Sequence, residues 1–121
     1  MIGLGIDAVD IRRFDRALER TPRLVERLFT EAERALADRR ADTSAVLAAR
    51  FAVREATMKA LGVGLGAFDF RDVSVLSSGD GRPTLRVDGR AAELARARGV
   101  TAWHVSLTHT DDLAVAVVAA S

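Results

Sequence analysis

The chain has 121 residues, of which 49% are hydrophobic and 29% charged, and its formal net charge is +1 at pH 7. These values predict a single domain over residues 1–121 with a proper core, and the small basic excess argues against nucleic-acid binding. The absence of cysteine excludes disulfides, thiolate metal sites and a cysteine nucleophile. The N-terminus has no signal-peptide pattern and no apolar run approaches the roughly 18–20 residues of a membrane helix, so we expect a soluble, cytoplasmic protein.

The N-terminal third begins with an alternating pattern. Residues 2–6 place isoleucine and leucine between glycines, which predicts a strand with one apolar face and puts Asp7 on the other face, near the strand's end. A helix is predicted over residues 11–20, with Asp10 as its cap and Thr21-Pro22 as its stop. Thr30 and Glu33 have the spacing of a capping box that opens another helix.

The remainder of the chain contains one long helix and several strands. The helix is predicted from Ser44 to Leu61, and Gly62 ends it and opens a glycine-rich loop to Gly66. The elements predicted after this loop are strands at 70–76, 84–87, 102–107 and 113–119 and a short helix at 91–98. Because tight turns join the strands in pairs, we predict an α+β fold: a largely antiparallel sheet with the long helix packed on one face.

Lys59 is the only lysine among 18 Lys and Arg residues, and Glu55 precedes it by one helical turn. An arginine is charged at any working pH, whereas a lysine ammonium is compact and can shift its pKa or donate a proton. Two interpretations remain open: a functional pair, or an ordinary i,i+4 surface pair. The stripe of the helix that carries Glu55 and Lys59 also contains Ala48, Ala52 and Ala56. Because these side chains are small, a ligand or a neighbouring strand could approach the helix there.

Asp7 has two interpretations: a structural role as a cap or turn residue, or a functional role as a metal ligand. If Asp7 and Glu55 converge, their oxygens suit magnesium, which binds through one or two carboxylates together with substrate phosphates and water. A lysine nearby would then suit the anionic leaving group of a phosphoryl transfer.

The strand around 104–108 places His104, Ser106 and Thr108 on one face. Such a face suits contacts with phosphate or ribose. A Ser-His-Asp hydrolase is disfavoured, since the chain has no G-x-S-x-G elbow.

Two sets of arginines lie on predicted helices. Arg12, Arg16 and Arg20 follow i,i+4 spacing, with Arg13 beside them. They form either a solvated surface paired locally with Asp15 and Glu19, or a docking surface for an acidic protein. On the long helix, Arg50 and Arg54 lie on a different stripe from Glu55. On that stripe, the Arg54 side chain would either bind a different partner or simply face solvent.

Four segments carry a resemblance to a known family: residues 5–11 (GIDAVDI), 29–33 (FTEAE), 50–62 (RFAVREATMKALG) and 104–109 (HVSLTH). In this order and spacing, and from end to end, the chain closely resembles the holo-acyl-carrier-protein synthase branch of the phosphopantetheinyl transferases. It departs at Arg54, where the family usually has lysine before the helical glutamate.

The resemblance implies transfer of 4′-phosphopantetheine from coenzyme A to a serine of apo-acyl carrier protein, with release of adenosine 3′,5′-bisphosphate. It implies Asp7 and Glu55 as magnesium ligands and Lys59 as the group that neutralises or protonates the leaving phosphate. The general base is left open between the two carboxylates, acting directly or through water. The implied contacts to coenzyme A are, besides Lys59, the residues Arg50, Gly62, His104, Ser106 and Thr108.

The family also implies a homotrimer with active sites between subunits, and an acidic carrier protein that would dock on Arg12, Arg13, Arg16 and Arg20. Two other functions stay open from the sequence. One is a non-catalytic relative that binds nucleotide or carrier protein, and the other is a different magnesium-dependent enzyme acting on nucleotides.

Overall fold

The computed structural model describes residues 1–121. Its strands are β1 (Gly3–Asp10), β2 (Val73–Ser77), β3 (Pro83–Val87), β4 (Trp103–His109) and β5 (Leu113–Ala120). Its helices are α1 (Ile11–Arg20), α2 (Leu24–Leu28), α3 (Glu31–Asp38), α4 (Thr43–Leu61) and α5 (Gly89–Ala97), with a 3-10 turn at Phe70–Asp72. The predicted elements are confirmed within a few residues, whereas the short helix α2 had not been predicted.

All strand pairs are antiparallel, as the tight turns predicted. β5 lies between β1 and β4 in a three-stranded sheet, and β2 and β3 form a separate two-stranded sheet. Helix α4 packs on one face of the larger sheet, against β1 and β5, so the predicted α+β fold class is correct. No helix combines the length and apolar composition that crossing a bilayer requires.

The contact between β1 and α4 is unusually close because glycine lies on that face of the strand. A Cβ atom on Gly5 would lie 1.8 Å from the carbonyl oxygen of Ala56, and one on Gly3 would lie 1.8 Å from that of Ala60. The side chains of Leu4 and Ile6 therefore point away from the helix, and each is 59% exposed. Asp7 shares the helix-facing side, but it lies inside β1 rather than near its end, because the strand continues to Asp10.

Local signals set the ends of several elements. Thr30 and Glu33 form the predicted capping box of α3, and Gly62 ends α4 in the left-handed conformation with φ of +68°. The strand predicted from residue 70 begins only at Val73, because the Asp69 side chain accepts a hydrogen bond from the Arg71 backbone N–H and closes a 3-10 turn.

Candidate functional site

Asp7 and Lys59 meet where β1 crosses α4. The ammonium Nζ of Lys59 donates to the carbonyl oxygen of Ile6 at 2.8 Å and to Oδ1 of Asp7 at 3.3 Å. The salt bridge of Lys59 is with Asp7, and none forms with Glu55. The close approach of strand to helix, which the glycines permit, brings residues 52 positions apart into contact.

Glu55 lies beside this pair. Burial raises the pKa of Glu55 above its usual value, the charge of Asp7 raises it further, and the charge of Lys59 lowers it. Two carboxylates close enough for the charge of one to raise the pKa of the other could together hold a divalent cation. No three His, Cys, Asp or Glu side chains lie together in the structure as a possible metal cage. Two carboxylates alone fit magnesium only if its other ligands come from substrate phosphates and water.

A groove of about 730 Å³ opens from the two carboxylates. Asp7, Asp10, Arg13 and Glu55 line its polar part. The rest is mainly apolar, and its side chains come chiefly from α1, α2, α4 and the 62–72 loop. Three of them, Phe14, Phe51 and Phe70, form what we call the aromatic wall: the Phe14–Phe51 centroids are 5.4 Å apart and the Phe51–Phe70 centroids 6.0 Å apart.

The arginines of α1 form an exposed basic surface beside this groove. Arg12, Arg13, Arg16 and Arg20 are exposed, and none of them has a carboxylate within salt-bridge distance. The local pairing considered with Asp15 is absent, because the Asp15 carboxylate instead accepts a hydrogen bond from Ser44 at 2.6 Å. Arg13 belongs both to this surface and to the groove.

His104, Ser106 and Thr108 share one exposed face of β4, as predicted. Their neighbours on β5 are Ala119, Val117 and Val115, and through β5 they share the sheet face of Leu4 and Ile6, opposite to α4. Within one chain these three residues are therefore separated from Asp7, Glu55 and Lys59 by the sheet itself.

The other three predicted contacts, Lys59, Arg50 and Gly62, also lie outside the groove lining. Arg50 is partly buried and its Nε has no hydrogen-bond partner. Burial lowers the pKa of Arg50, while the charge of Glu33 raises it and those of Arg54 and Arg40 lower it. At Gly62 the guanidinium of Arg98 lies over the helix end, with Nη1 3.0 Å from the position of a Cβ.

The expectation that Arg54 faces solvent or binds an external partner is wrong, because its side chain is fully buried. Its side chain and that of Glu33 have no exposed surface and form an ion pair. Burial would raise the pKa of Glu33, but hydrogen bonds and charge from Arg54 lower it overall, aided by backbone N–H groups. The capping-box spacing identified Glu33 only as a cap, and no local signal indicated its partner 21 residues away.

Comparisons with known proteins agree with this architecture. The family model described as 4′-phosphopantetheinyl transferase superfamily matches residues 3–118. The holo-[acyl-carrier-protein] synthase of Kocuria rhizophila is 50% identical over 120 residues, covering 99% of this chain and 92% of that protein. The protein of the same name from Clavibacter michiganensis is 49% identical over 116 residues, covering 96% of this chain and 92% of that protein.

Among solved structures, Helicobacter pylori holo-[acyl-carrier-protein] synthase in complex with coenzyme A superposes with a TM-score of 0.85 at 30% identity, covering 98% of this chain and 99% of that one. The chain thus belongs to the 4′-phosphopantetheinyl transferase superfamily and, within it, to the enzymes of the holo-acyl-carrier-protein synthase family.

Proposed function

We propose that this enzyme transfers 4′-phosphopantetheine from coenzyme A to a serine of apo-acyl carrier protein, with magnesium, and releases adenosine 3′,5′-bisphosphate. Its relatives are named for this acceptor, and the Helicobacter pylori structure contains coenzyme A. The observation that carries the proposal is that Asp7 and Glu55 line one groove while Lys59 contacts Asp7 and the charges of both Asp7 and Lys59 act on Glu55.

In the proposed reaction the serine oxygen bonds to the phosphorus of the phosphopantetheine half of coenzyme A. The bond from that phosphorus to the bridging oxygen of the pyrophosphate breaks, and adenosine 3′,5′-bisphosphate leaves with that oxygen. Asp7 or Glu55, directly or through water, accepts the serine proton. Lys59 neutralises or protonates the leaving phosphate, and its contact with the Ile6 carbonyl holds the ammonium in place for this.

Asp7 and Glu55 would hold magnesium at the polar end of the groove. When bound there, the ion would neutralise part of the pyrophosphate charge that the transferred and leaving groups share. Its binding would also relieve the repulsion between the two carboxylates that contributes to the raised pKa of Glu55.

We propose that the coenzyme A site is completed by a second copy in a homotrimer. His104, Ser106 and Thr108 lie on the sheet face away from the groove, so they would contact the nucleotide held by a neighbouring subunit. The exposed Leu4 and Ile6 on this face support the proposal, since exposed apolar patches commonly mark interfaces. Arg50 would contact a phosphate of coenzyme A through the exposed part of its partly buried side chain, and the Gly62 backbone would approach the substrate from the end of α4.

The acidic carrier protein would dock on the arginines of α1. Because Arg12, Arg13, Arg16 and Arg20 have no acidic partners in the chain, their charges are available to steer and orient it. Arg13 borders the groove, so a carrier seated on α1 would present its serine close to Asp7 and Glu55. We propose that residues 1–121 act as a single domain, in the cytoplasm.

Intact-mass analysis of apo-carrier protein, incubated with coenzyme A, magnesium and this enzyme, tests the proposal. The expected result is addition of one phosphopantetheine group. Glu55→Gln should abolish the addition, whereas Glu31→Gln, at an exposed position of α3, should leave it unchanged. An unmodified carrier with the unaltered enzyme would refute the transfer, and undiminished turnover by Glu55→Gln would refute the metal assignment.

A further inference from the structure

The buried pair of Glu33 and Arg54 has no part in the chemistry described above, yet it is the most extensively hydrogen-bonded group in the core. The Glu33 carboxylate accepts bonds from Nη1 and Nη2 of Arg54, from the backbone N–H of Val75 and from both the N–H and the hydroxyl of Thr30. One carboxylate thereby joins the start of α3 to α4 and to β2.

Arg54 extends this network to the groove. Its Nε donates to the carbonyl oxygen of Phe70 at 2.9 Å, and Nη1 donates to the carbonyl oxygen of Arg50 at 3.2 Å. Phe70 lies where the 62–72 loop returns to the body of the protein, and its ring is the last member of the aromatic wall. The guanidinium also lies 5.0 Å from the centroid of the Phe29 ring, which restricts its position further.

From these contacts we infer that the Glu33–Arg54 pair is a positioning device that sets the place of Phe70, and with it the width of the apolar groove for the acceptor protein. The planar guanidinium is held on one edge by the two carboxylate oxygens, so its Nε has a single direction in which to donate. The Phe70 carbonyl lies in that direction. The acceptor is assigned to this groove because Arg13, on the docking surface of α1, also lines it, and this assignment rests on the proposed function.

The geometry separates this role from simple charge neutralisation. A lysine at position 54 keeps the charge opposite Glu33, but its single ammonium cannot reach both carboxylate oxygens and the Phe70 carbonyl in a fixed fork. Arg54→Lys should therefore preserve the ion pair while releasing Phe70. Glu33→Gln should have a similar effect through weaker anchoring of the guanidinium, and it serves as the second variant if Arg54→Lys does not fold.

Fluorine NMR of protein labelled with 4-fluorophenylalanine tests the position of the wall without any substrate. The chain has five phenylalanines, and Phe70→Leu assigns the signal of interest. We expect the Phe70 and Phe51 signals to shift or broaden in Arg54→Lys and Glu33→Gln. Val118→Ala, which removes buried methyl groups on β5 rather than on the elements joined by the pair, is the control for general destabilisation and should leave both signals in place.

Steady-state kinetics at a temperature where every variant is folded provide the second readout. We expect Arg54→Lys to raise the KM for apo-carrier protein by about tenfold and to leave kcat nearly unchanged. This is the pattern expected when the lost contact stabilises the ground state and the transition state equally. Unmoved Phe70 and Phe51 signals in the folded variants, or equal movement in Val118→Ala, would overturn the inference. If the unaltered enzyme transfers nothing, the proposed function fails, but the fluorine signals still decide the positioning role.

Discussion

Replacing Gly5 by alanine is expected to force β1 and α4 apart at the site. The added Cβ would lie 1.8 Å from the Ala56 carbonyl oxygen, whereas ordinary contacts begin near 3.4 Å, so strand and helix would have to separate by about 1.6 Å. Overpacking of this kind costs about 1–3 kcal/mol, and the upper end applies here because the obstacle is backbone rather than a flexible side chain. For a chain of this size, about 3 kcal/mol corresponds to a fall in melting temperature of roughly 10 °C.

Thermal unfolding followed by circular dichroism measures this fall, with all variants at one protein concentration because assembly would contribute to the melting temperature. Gly64→Ala is the matched control. A Cβ on Gly64 would have no atom within 4 Å, and the residue does not have positive φ. The control should melt at or slightly above the temperature of the unaltered protein, since alanine reduces the entropy of the unfolded chain.

The same substitution should also reduce activity, because Asp7 follows Gly5 by two residues on the same face of β1. Separation of the strand from α4 would lengthen the 3.3 Å contact between Asp7 and Lys59. Phosphopantetheine transfer by Gly5→Ala should therefore fall even at temperatures where the variant is folded. If Gly5→Ala and Gly64→Ala have the same melting temperature and activity, the account of the strand–helix contact is wrong.

Three further predictions concern the core, the docking surface and the assembly. The pKa of Glu33 is lowered overall, so its ionised form stabilises the fold above about pH 4.5, and this contribution is lost as the pH falls further. Glu33→Gln should therefore lower the free energy of unfolding by about 3 kcal/mol at pH 7. If urea titrations show that this loss is as large at acid pH as at pH 7, the prediction is wrong. Arg16→Glu should raise the apparent KM for carrier protein far more than the apparent KM for coenzyme A. The control is Arg96→Glu, at an exposed position of α5, which should change neither KM. Equal effects of Arg16→Glu on both KM values would rule out docking on α1. Ile6→Asp should dissociate the proposed trimer in sedimentation experiments, and an intact trimer would place the interface elsewhere.

Much of the fold could be predicted because the deciding interactions are local. Alternation in β1, the Thr30–Glu33 capping box and the stop at Gly62 each depend on residues within a few positions of one another. The grouping of Asp7, Glu55 and Lys59 was predicted from residue chemistry and family resemblance together, and the structure brings Asp7 and Lys59 into contact. Their catalytic roles, and those of Arg50 and the β4 face, remain predictions.

The tertiary structure decided which way the faces of these elements point and which charges become partners. Periodicity shows that β1 has an apolar and a glycine face, but only packing selects the glycine face for α4, because backbone contact leaves no room for a side chain at Gly3 and Gly5. Likewise, Arg54 looks like a surface residue until α3 folds over it and supplies Glu33. The amino-acid sequence by itself determined the elements, their order and the chemistry available, whereas contacts between residues far apart in the chain arise only when those elements pack.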